Sequence, residues 1–429
     1  MAGYQLVTLG TNAELLDLPF DLPLEEWPEE RIVHVPRGIS RHVVRFIGLE
    51  GSGGPPGSEG VAAGGIFAVK EAPDRFVLND HAMLHELAAR NVPVVEAYGT
   101  VTERSNDDGP LPGLLITRHL PYSQPYRALF TGRGIPELRT RLLDALAGLF
   151  VRLHLAGFYW GDCSLSNTLF RRDAGALAAY LVDAETGEMH AELSPGQRAY
   201  DLQIAMENIA GEMFDLEAAR QLDPSIDPIE TAKELTPRYE QLWEELTRNE
   251  VVGRGESYLI NQRIKRLNSL GFDVAEMAIR TENGGRRLRF ETAVVEPGHH
   301  ARRVFALTGL SVQENQARTL LADLARFRAK WEEATGEDVP EDAAARRWLD
   351  QKFYGTLALV PTDQRGKLPD AELFHEISEH RWFLSEERGE DVGRAAAVTS
   401  YVETILRNLP DARVDLSGPA TEEFLPVFD

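Results

Sequence analysis

Four residues, widely separated along the chain, have the types that phosphoryl chemistry uses and occur in an order one site could use. Lys70 ends the apolar run Ile66-Phe67-Ala68-Val69. Alternation along a buried strand turns its ammonium into a cleft, where it can hold phosphate oxygens. Asp162 and Asn167 stand five apart in Gly161-Asp162-Cys163-Ser164-Leu165-Ser166-Asn167, so one loop can offer a carboxylate base and a metal-binding amide. Asp183 closes Tyr180-Leu181-Val182, sixteen residues after Asn167, and a carboxylate at a strand end suits hard Mg2+. Phosphoryl transfer to a hydroxyl asks for these parts together: a cation for the nucleotide phosphates, oxygen ligands for a metal, and a positioned base. Taken singly, Lys70 reads as a surface lysine, Asp162 as a turn cap and Asp183 as a strand-end acid. Only the ordered set points to a site.

The elements that must position them follow from periodicity. Residues 1–30 are acidic, with Pro19, Pro23 and Pro28, and predict a short helix and an irregular lead-in. Residues 31–35, 42–47, 66–70, 94–102 and 113–118 read as five strands, with a helix over 77–90 that Pro93 stops. The stretch 50–65 (EGSGGPPGSEGVAAGG) reads as a flexible loop rather than a phosphate cradle. Leu138, Leu142, Leu146, Leu149 and Leu153 put one apolar stripe on a helix over 137–156, and another helix is expected over 196–214. Strands first and helices after resemble two lobes rather than a doubly wound sheet. Beyond Pro228 the character changes. Charged helices over 231–249 and 315–334 flank a hairpin of 274–280 and 287–295, turning at Glu282-Asn283-Gly284-Gly285, and a further strand is expected at 303–307.

Bulk properties narrow the classes. A chain of 429 residues, 43% hydrophobic and 26% charged, suits two domains of an ordinary globular protein. A formal charge of −23 repels polyanions and argues against nucleic acid as a partner. A nucleotide needs only a few local cations and a metal, so ATP stays open. The single cysteine, Cys163, builds no disulfide framework and reads as a small packed thiol. No apolar run reaches the roughly 18 residues of a bilayer span, and the start lacks the pattern of a signal peptide. A cytoplasmic protein without a transmembrane segment is expected.

Ala68-Val69-Lys70, Trp160-Gly161-Asp162 with Asn167, and Asp183 after apolar residues resemble, in that order, the kinase-like superfamily. The resemblance is closest to bacterial lipopolysaccharide-core heptose kinases and their aminoglycoside-phosphotransferase relatives, and covers about residues 30–215. It implies an α+β, bilobal protein-kinase-like fold, with a five-stranded N-lobe at 31–120 and a helical C-lobe at 121–228. A lead-in at 1–30 would precede it, and a mostly helical α+β domain at 229–429 would follow. It implies ATP and Mg2+ as cofactors, Lys70 as the phosphate lysine, Asp162 as the catalytic base, and Asn167 and Asp183 as metal ligands. Gly38, Ser40 and Arg41 would sit in the turn covering the nucleotide, and Arg118, His119 and Leu120 at the hinge beside the adenine. Asp80 would pair with Lys70, with Glu86 as the alternative, and Asp201 would brace the catalytic loop through backbone N–H groups.

Three positions depart from the family pattern. Trp160 replaces the histidine before the catalytic aspartate, Ala184 replaces the glycine after the metal aspartate, and the covering turn has one glycine, Gly38. Only 17 residues separate Asp183 from Asp201, too few for a phosphorylated activation segment. In the second half, His375, Glu379 and His380 admit a metal site, but their spacing fits no zincin pattern and favours an ordinary helix. Trp331, Trp348, Trp382 and Phe383 read as core. The resulting expectation is a kinase that phosphorylates a hydroxyl of a sugar-like small molecule or a protein, with the C-terminal domain free to engage a protein partner. The alternative is a decayed nucleotide-binding scaffold.

Overall fold

The computed structural model describes residues 3–10, 13–33, 42–49, 65–131, 138–247, 250–253, 276–282, 287–293 and 298–409. It is a mixed α/β fold in which every paired strand ladder is antiparallel. The main sheet is built from β1 (Gly3–Thr8), β2 (Val43–Leu49), β3 (Gly65–Ala72), β4 (Ala97–Asn106), the two-residue β5 (Gly109–Pro110) and β6 (Gly113–Arg118). Its order is β1-β4-β6-β3-β2, with β5 folded back on β4.

The sheet has two covered faces, and successive β3 side chains point to opposite ones. Phe67 and Val69 are fully buried on one face against Leu15, Phe20, Leu24 and Trp27 of the lead-in. Helix α1 (Asp74–Ala89) lies over the other face, where Ala72 joins Val77, Leu84 and Leu87 in a second core. Arg104 is almost wholly buried and fastens the lead-in to the sheet. It donates to the carbonyls of Phe20 (2.9 Å), Leu22 and Pro112 (2.6 Å) and to Glu71 Oε1 (2.8 Å). A buried guanidinium is tolerable only with its donors filled in this way.

The membership of the sheet differs from the expected five strands. Residues 29–31 form a 3-10 turn, Ile32 contributes a lone bridge to Ile47, and 34–35 lie outside the described residues. The extra strand is β1, which the sequence reading gave to a helix and irregular lead-in. It is an edge strand whose residues are mostly exposed, so backbone pairing with β4 holds it and no apolar alternation announces it.

After the sheet, β7 (Gln124–Pro125) and α2 (Tyr126–Thr131) lead to α3 (Leu138–Leu155), the central helix of the second core. The next strands are β8 (Phe158–Tyr159), β9 (Thr168–Asp173), β10 (Ala176–Leu181) and β11 (Glu188–Met189). They form a β10-β9-β7 sheet and a β11-β8 pair. Helices α4 (Pro195–Ala218), α5 (Pro228–Lys233) and α6 (Leu235–Thr247) complete this part. Ser194 and Gln197 form a capping box that starts α4. The expected helix over 231–249 is two helices, and Tyr239, Leu242 and Leu246 of α6 pack into the same core as α3.

Further on, β12 (Glu250–Gly253), β13 (Glu276–Glu282) and β14 (Arg287–Ala293) pair in the order β12-β14-β13, with Glu282 opposite Arg287 at the expected hairpin turn. Residues 303–307 are not a strand. They lie in α7 (His299–Thr308), which Gly309 ends in the left-handed conformation at φ 76°. A third core gathers α7, α8 (Glu314–Thr335), α9 (Glu341–Trp348), α10 (Asp370–Arg388) and α11 (Arg394–Thr404), with a π-helical turn at Leu349–Tyr354 after α9. Trp348 is buried there, whereas Trp382 and Phe383 are exposed on α10, not core. The π-turn and α10 have consecutive apolar residues on several faces, which defeats a simple inward reading of each aromatic. Among the described residues no helix is long and apolar enough to cross a membrane.

Gly157, which ends α3, tests how tightly the loop after it is held. Its φ is +79°, and a Cβ there would come 2.2 Å from the His190 carbonyl oxygen. Gly336 has a similar φ of +71° with nothing within 4 Å of a Cβ. Gly336→Ala should therefore cost only the left-handed strain, about 1–2 kcal/mol. Gly157→Ala should cost that plus a backbone clash, lowering the urea midpoint by clearly more. Equal shifts would mean the β8–β11 contact yields freely.

Candidate functional site

The site forms where β3, α1 and the end of β10 meet. Lys70 lies on the α1 side of β3, and its Nζ is 2.6 Å from Asp80 Oδ2, 3.1 Å from Asp183 Oδ2 and 3.1 Å from Glu185 Oε2. Asp80 is fully buried on α1, and its other oxygen accepts the Ala184 N–H at 2.9 Å. It thus ties the lysine to the backbone immediately after Asp183. Asn79 adds a bond from its side-chain amide to the Glu185 carbonyl at 2.9 Å. Glu86 points outward and pairs with Arg90 at 2.6 Å, so between the two acids it is Asp80 that meets Lys70.

Three carboxylates surround one ammonium, and the electrostatics carry the mark of that excess. Burial alone would lower the Lys70 pKa, but Asp80, Asp183 and Glu185 together hold it well above the ordinary lysine range. Burial, with the neighbouring Asp183 carboxylate, pushes Asp80 up to about 7 against the pull of Lys70. Glu185 is shifted the other way: against its own burial, Lys70 and His42, whose Nε2 lies 3.2 Å from Glu185 Oε1, hold its pKa below the ordinary carboxylate value. One ligand oxygen from each of Asp80, Asp183 and Glu185 lies within 4.8 Å of the others, the only such acid or histidine group among the described residues. Hard oxygen donors with surplus negative charge fit a divalent cation such as Mg2+. The histidines of α10 join no such group, and His380 instead reaches Ser400 Oγ at 2.9 Å.

The loop after α3 is held from beneath by one face of α4. Asp201 accepts the N–H groups of Trp160 (2.9 Å) and Gly161 (2.8 Å). Asn208 donates to the Cys163 carbonyl at 2.9 Å. Glu212 accepts the N–H of Leu165 (2.6 Å) and of Ser166 (3.0 Å), together with the Ser166 hydroxyl. Positions 201, 208 and 212 are seven and four apart, which stacks them on one stripe of a 3.6-residue helix. The backbone is therefore pinned on both sides of Asp162. Asn167 Nδ2 donates to the Asp162 carbonyl at 3.2 Å, leaving the amide oxygen as the group it has to offer a cation. The Asn167 carbonyl accepts the Val182 N–H at 3.1 Å, which sets the loop beside the strand end that carries Asp183.

Trp160 is fully buried against Phe150, with ring centroids 5.5 Å apart. An imidazole still reaches Asp201, but it comes from α3: His154 Nε2 is 3.1 Å away, and its Nδ1 is 2.8 Å from the Tyr239 hydroxyl. Cys163 is buried, which pushes its thiol pKa well up, as befits a packed residue rather than a reactive one.

Not every expected residue joins the group. Arg118 pairs in register with Phe67, lies over the Phe67 and Tyr98 rings at 5.0 and 5.5 Å, and bonds Glu96 at 2.6 Å. Its guanidinium is therefore on the face of β3 opposite Lys70. His119 donates its backbone N–H to Ile66 at 2.9 Å and stands edge-on to Phe46, and the Leu120 carbonyl accepts the Ser123 N–H. Gly38, Ser40 and Arg41 lie outside the described residues. Glu185, Asn208 and Glu212 belong to the site's framework and escaped the sequence reading. The alternation Asp183-x-Glu185 at a strand end and the 7-and-4 spacing on α4 were the available signals.

Residues 241–406 match a family described as a domain of unknown function (DUF4032). No curated protein matches the chain. Among solved structures, the chain is similar to one described as "WaaP in complex with acyl carrier protein", at 14% identity and a TM-score of 0.35, over 62% of this chain and 99% of that one. At that TM-score the likeness carries no argument, and the chemistry has to be read from the residues.

That chemistry makes a direct prediction. Mn2+ or Mg2+ added without nucleotide should raise the thermal unfolding midpoint, by the equivalent of about 2.7 kcal/mol at a hundredfold excess over its dissociation constant. Glu185→Gln should remove most of the rise. A midpoint indifferent to both cations would mean that the three acids serve only the protein's own groups, Lys70, His42 and the Ala184 N–H among them.

Proposed function

We propose that this chain is an ATP- and Mg2+-dependent phosphotransferase of kinase-like architecture that phosphorylates a hydroxyl group. The observation that carries the reading is the Lys70 ammonium held 2.6 Å from Asp80 and 3.1 Å from Asp183, contacts that join residues 10 and 113 positions apart. An ordinary surface lysine has no reason to be drawn in among three acids from two separate elements, because desolvating it is costly. A site that must grip phosphates does.

In this reading Lys70 binds the nucleotide phosphates, and Asp80 keeps its side chain aimed between β3 and the end of β10. Asp183, Glu185 and the Asn167 amide oxygen would hold Mg2+, which when bound neutralises phosphate charge. Asp162 orients the acceptor hydroxyl and takes its proton. The contribution of Asp201, Asn208 and Glu212 is made before the substrate arrives: they fix the loop, so no reorganisation is needed during transfer. Trp160 and Ala184 leave this set intact, because the loop is braced through backbone N–H groups, and Ala184 itself donates its N–H to Asp80. A sugar-like small molecule or a protein hydroxyl is the acceptor class.

The test compares ATP binding and turnover, with and without Mg2+, in wild type and two variants. Asp183→Ala should lose the metal-dependent part of nucleotide binding. Asp162→Ala should still bind but turn over ATP at least about a hundredfold more slowly. Tight binding with no turnover in any protein, unchanged by Asp162→Ala, would show a nucleotide-binding scaffold instead.

A further inference from the structure

The strand pair that carries the proposed metal ligands at its base has its tip gripped by the C-terminal helices. Strand β9 starts at Thr168, one residue after Asn167, and β10 ends at Leu181, two before Asp183. Their six-residue ladder turns through Ala174 (φ 49°) and Gly175 (φ 83°), the two left-handed residues of a tight hairpin. The ladder is rigid over roughly 20 Å at about 3.4 Å per residue, so what fixes the tip also fixes the base.

The grip is polar and buried. Asp173, 5% exposed, accepts the N–H groups of Gln316 (2.9 Å) and Asn315 (3.3 Å), so it caps the start of α8 from outside that helix. Glu372 of α10, 1% exposed, accepts the Ala174 N–H at 2.8 Å and Gln316 Nε2 at 2.9 Å. Gln313 and Gln316 both donate to the Arg172 carbonyl. Arg172 reaches Glu376 at 2.8 Å, which also accepts the Tyr401 hydroxyl. Apolar packing would have been the cheaper way to join two bodies. Buried hydrogen bonds cost desolvation and return a fixed register. The tip is located, not merely covered.

We propose that the C-terminal helical region positions the metal-binding end of the site, with Asp173 and Glu372 as the positioning residues. The proposal rests on the reading of Asn167 and Asp183 as metal ligands. Ligand residues lose affinity when the groups that orient them are removed, typically by 10–100-fold, even though the ligands themselves remain.

The experiment uses the full chain and a non-hydrolysable ATP analogue titrated with Mg2+. Asp173→Ala and Glu372→Ala should each raise the Mg2+ concentration for half-maximal analogue binding at least about tenfold. Glu372→Gln, which keeps an acceptor for Ala174, should restore it to within a factor of about three. Asp323→Asn loosens the same helical region by weakening bonds to Trp348 Nε1 and Lys352, away from the hairpin, and should leave the midpoint alone. If the two alanine variants match wild type while Asp183→Ala abolishes metal dependence, the contact is only structural and the proposal fails. If Asp183→Ala also has no effect, the metal-site reading falls and takes the proposal with it. A readout on the wild type covers variants that fail to fold. Saturating Mg2+ and analogue should slow hydrogen exchange at the amides of Ala174, Asn315 and Gln316 at least about fivefold, because coupling is reciprocal. Unchanged exchange there would overturn the proposal.

Discussion

The largely buried ammonium of Lys70, its side chain 12% exposed, is the constraint around which the first half of the molecule is arranged. Removing a lysine head group from water costs several kcal/mol unless opposite charge meets it. Here the three acids come from two places: Asp80 on α1, and Asp183 and Glu185 on the segment after β10. That requirement fixes the packing of α1 on β3, since Asp80 serves both Lys70 and the Ala184 N–H. The end of β10 is held as well by the segment before β4: the Val95 N–H donates to the Leu181 carbonyl and the Leu181 N–H to the Pro93 carbonyl, both at 3.0 Å. Three acids meet one lysine, and His42 Nε2 also stands 3.2 Å from Glu185 Oε1. Burial first, and the Asp183 carboxylate second, lift the Asp80 carboxyl against the pull of Lys70.

The second constraint is the shape of the loop after α3, which carries Asp162. Helix α4 meets it with a stripe of polar side chains where an amphipathic helix would ordinarily place apolar ones. Asp201, Asn208 and Glu212 address backbone groups of residues 160–166 from below. Burial lifts the Glu212 pKa, and the hydrogen bonds it accepts from Ser166 and Leu165 oppose the lift. The loop's shape is thus indifferent to most of its own side chains, which explains how Trp160 can occupy a position where the resemblance expects histidine. His154 supplies the imidazole contact to Asp201 from a neighbouring helix.

How far the sequence reveals this depends on whether partners are local. Lys70, Asn167 and Asp183 stand out in the sequence because each lies on or beside an apolar strand, and Asp162 because it stands five before Asn167 in one loop; helices α1, α3 and α4 are legible from their stripes. Asp80 is legible only through the resemblance; geometry separates it from Glu86 by burial, which no single-sequence pattern reports. Strand β1 is invisible because an edge strand needs backbone pairing and no core-facing side chains. Residues 303–307 mislead because a short apolar run fits helix or strand, and the deciding feature, Gly309 in the left-handed conformation, lies outside the run. The hinge role expected of Arg118, His119 and Leu120 rests on backbone position at the end of β6, and the Arg118 guanidinium lies on the face of β3 opposite Lys70.

The same division between local and distant explains why the second half gave so little away. Its apolar residues close a core of their own, and that much is periodic and readable. Its contact with the first half is made by Gln313, Gln316, Glu372 and Glu376, residues that in sequence are indistinguishable from a solvated helix face. They become meaningful only once the β9–β10 tip is set against them. The residues matching the family of unknown function begin at 241, inside α6, whose Leu242 and Leu246 are buried in the core of α3. That region is thus joined to the first half twice: by a helix shared with its core, and by a polar grip on the hairpin that bears Asn167 and Asp183. Two attachments at separate points restrict rotation as well as separation. A region needed only as a tether would require neither buried acids nor a capped helix end at the junction.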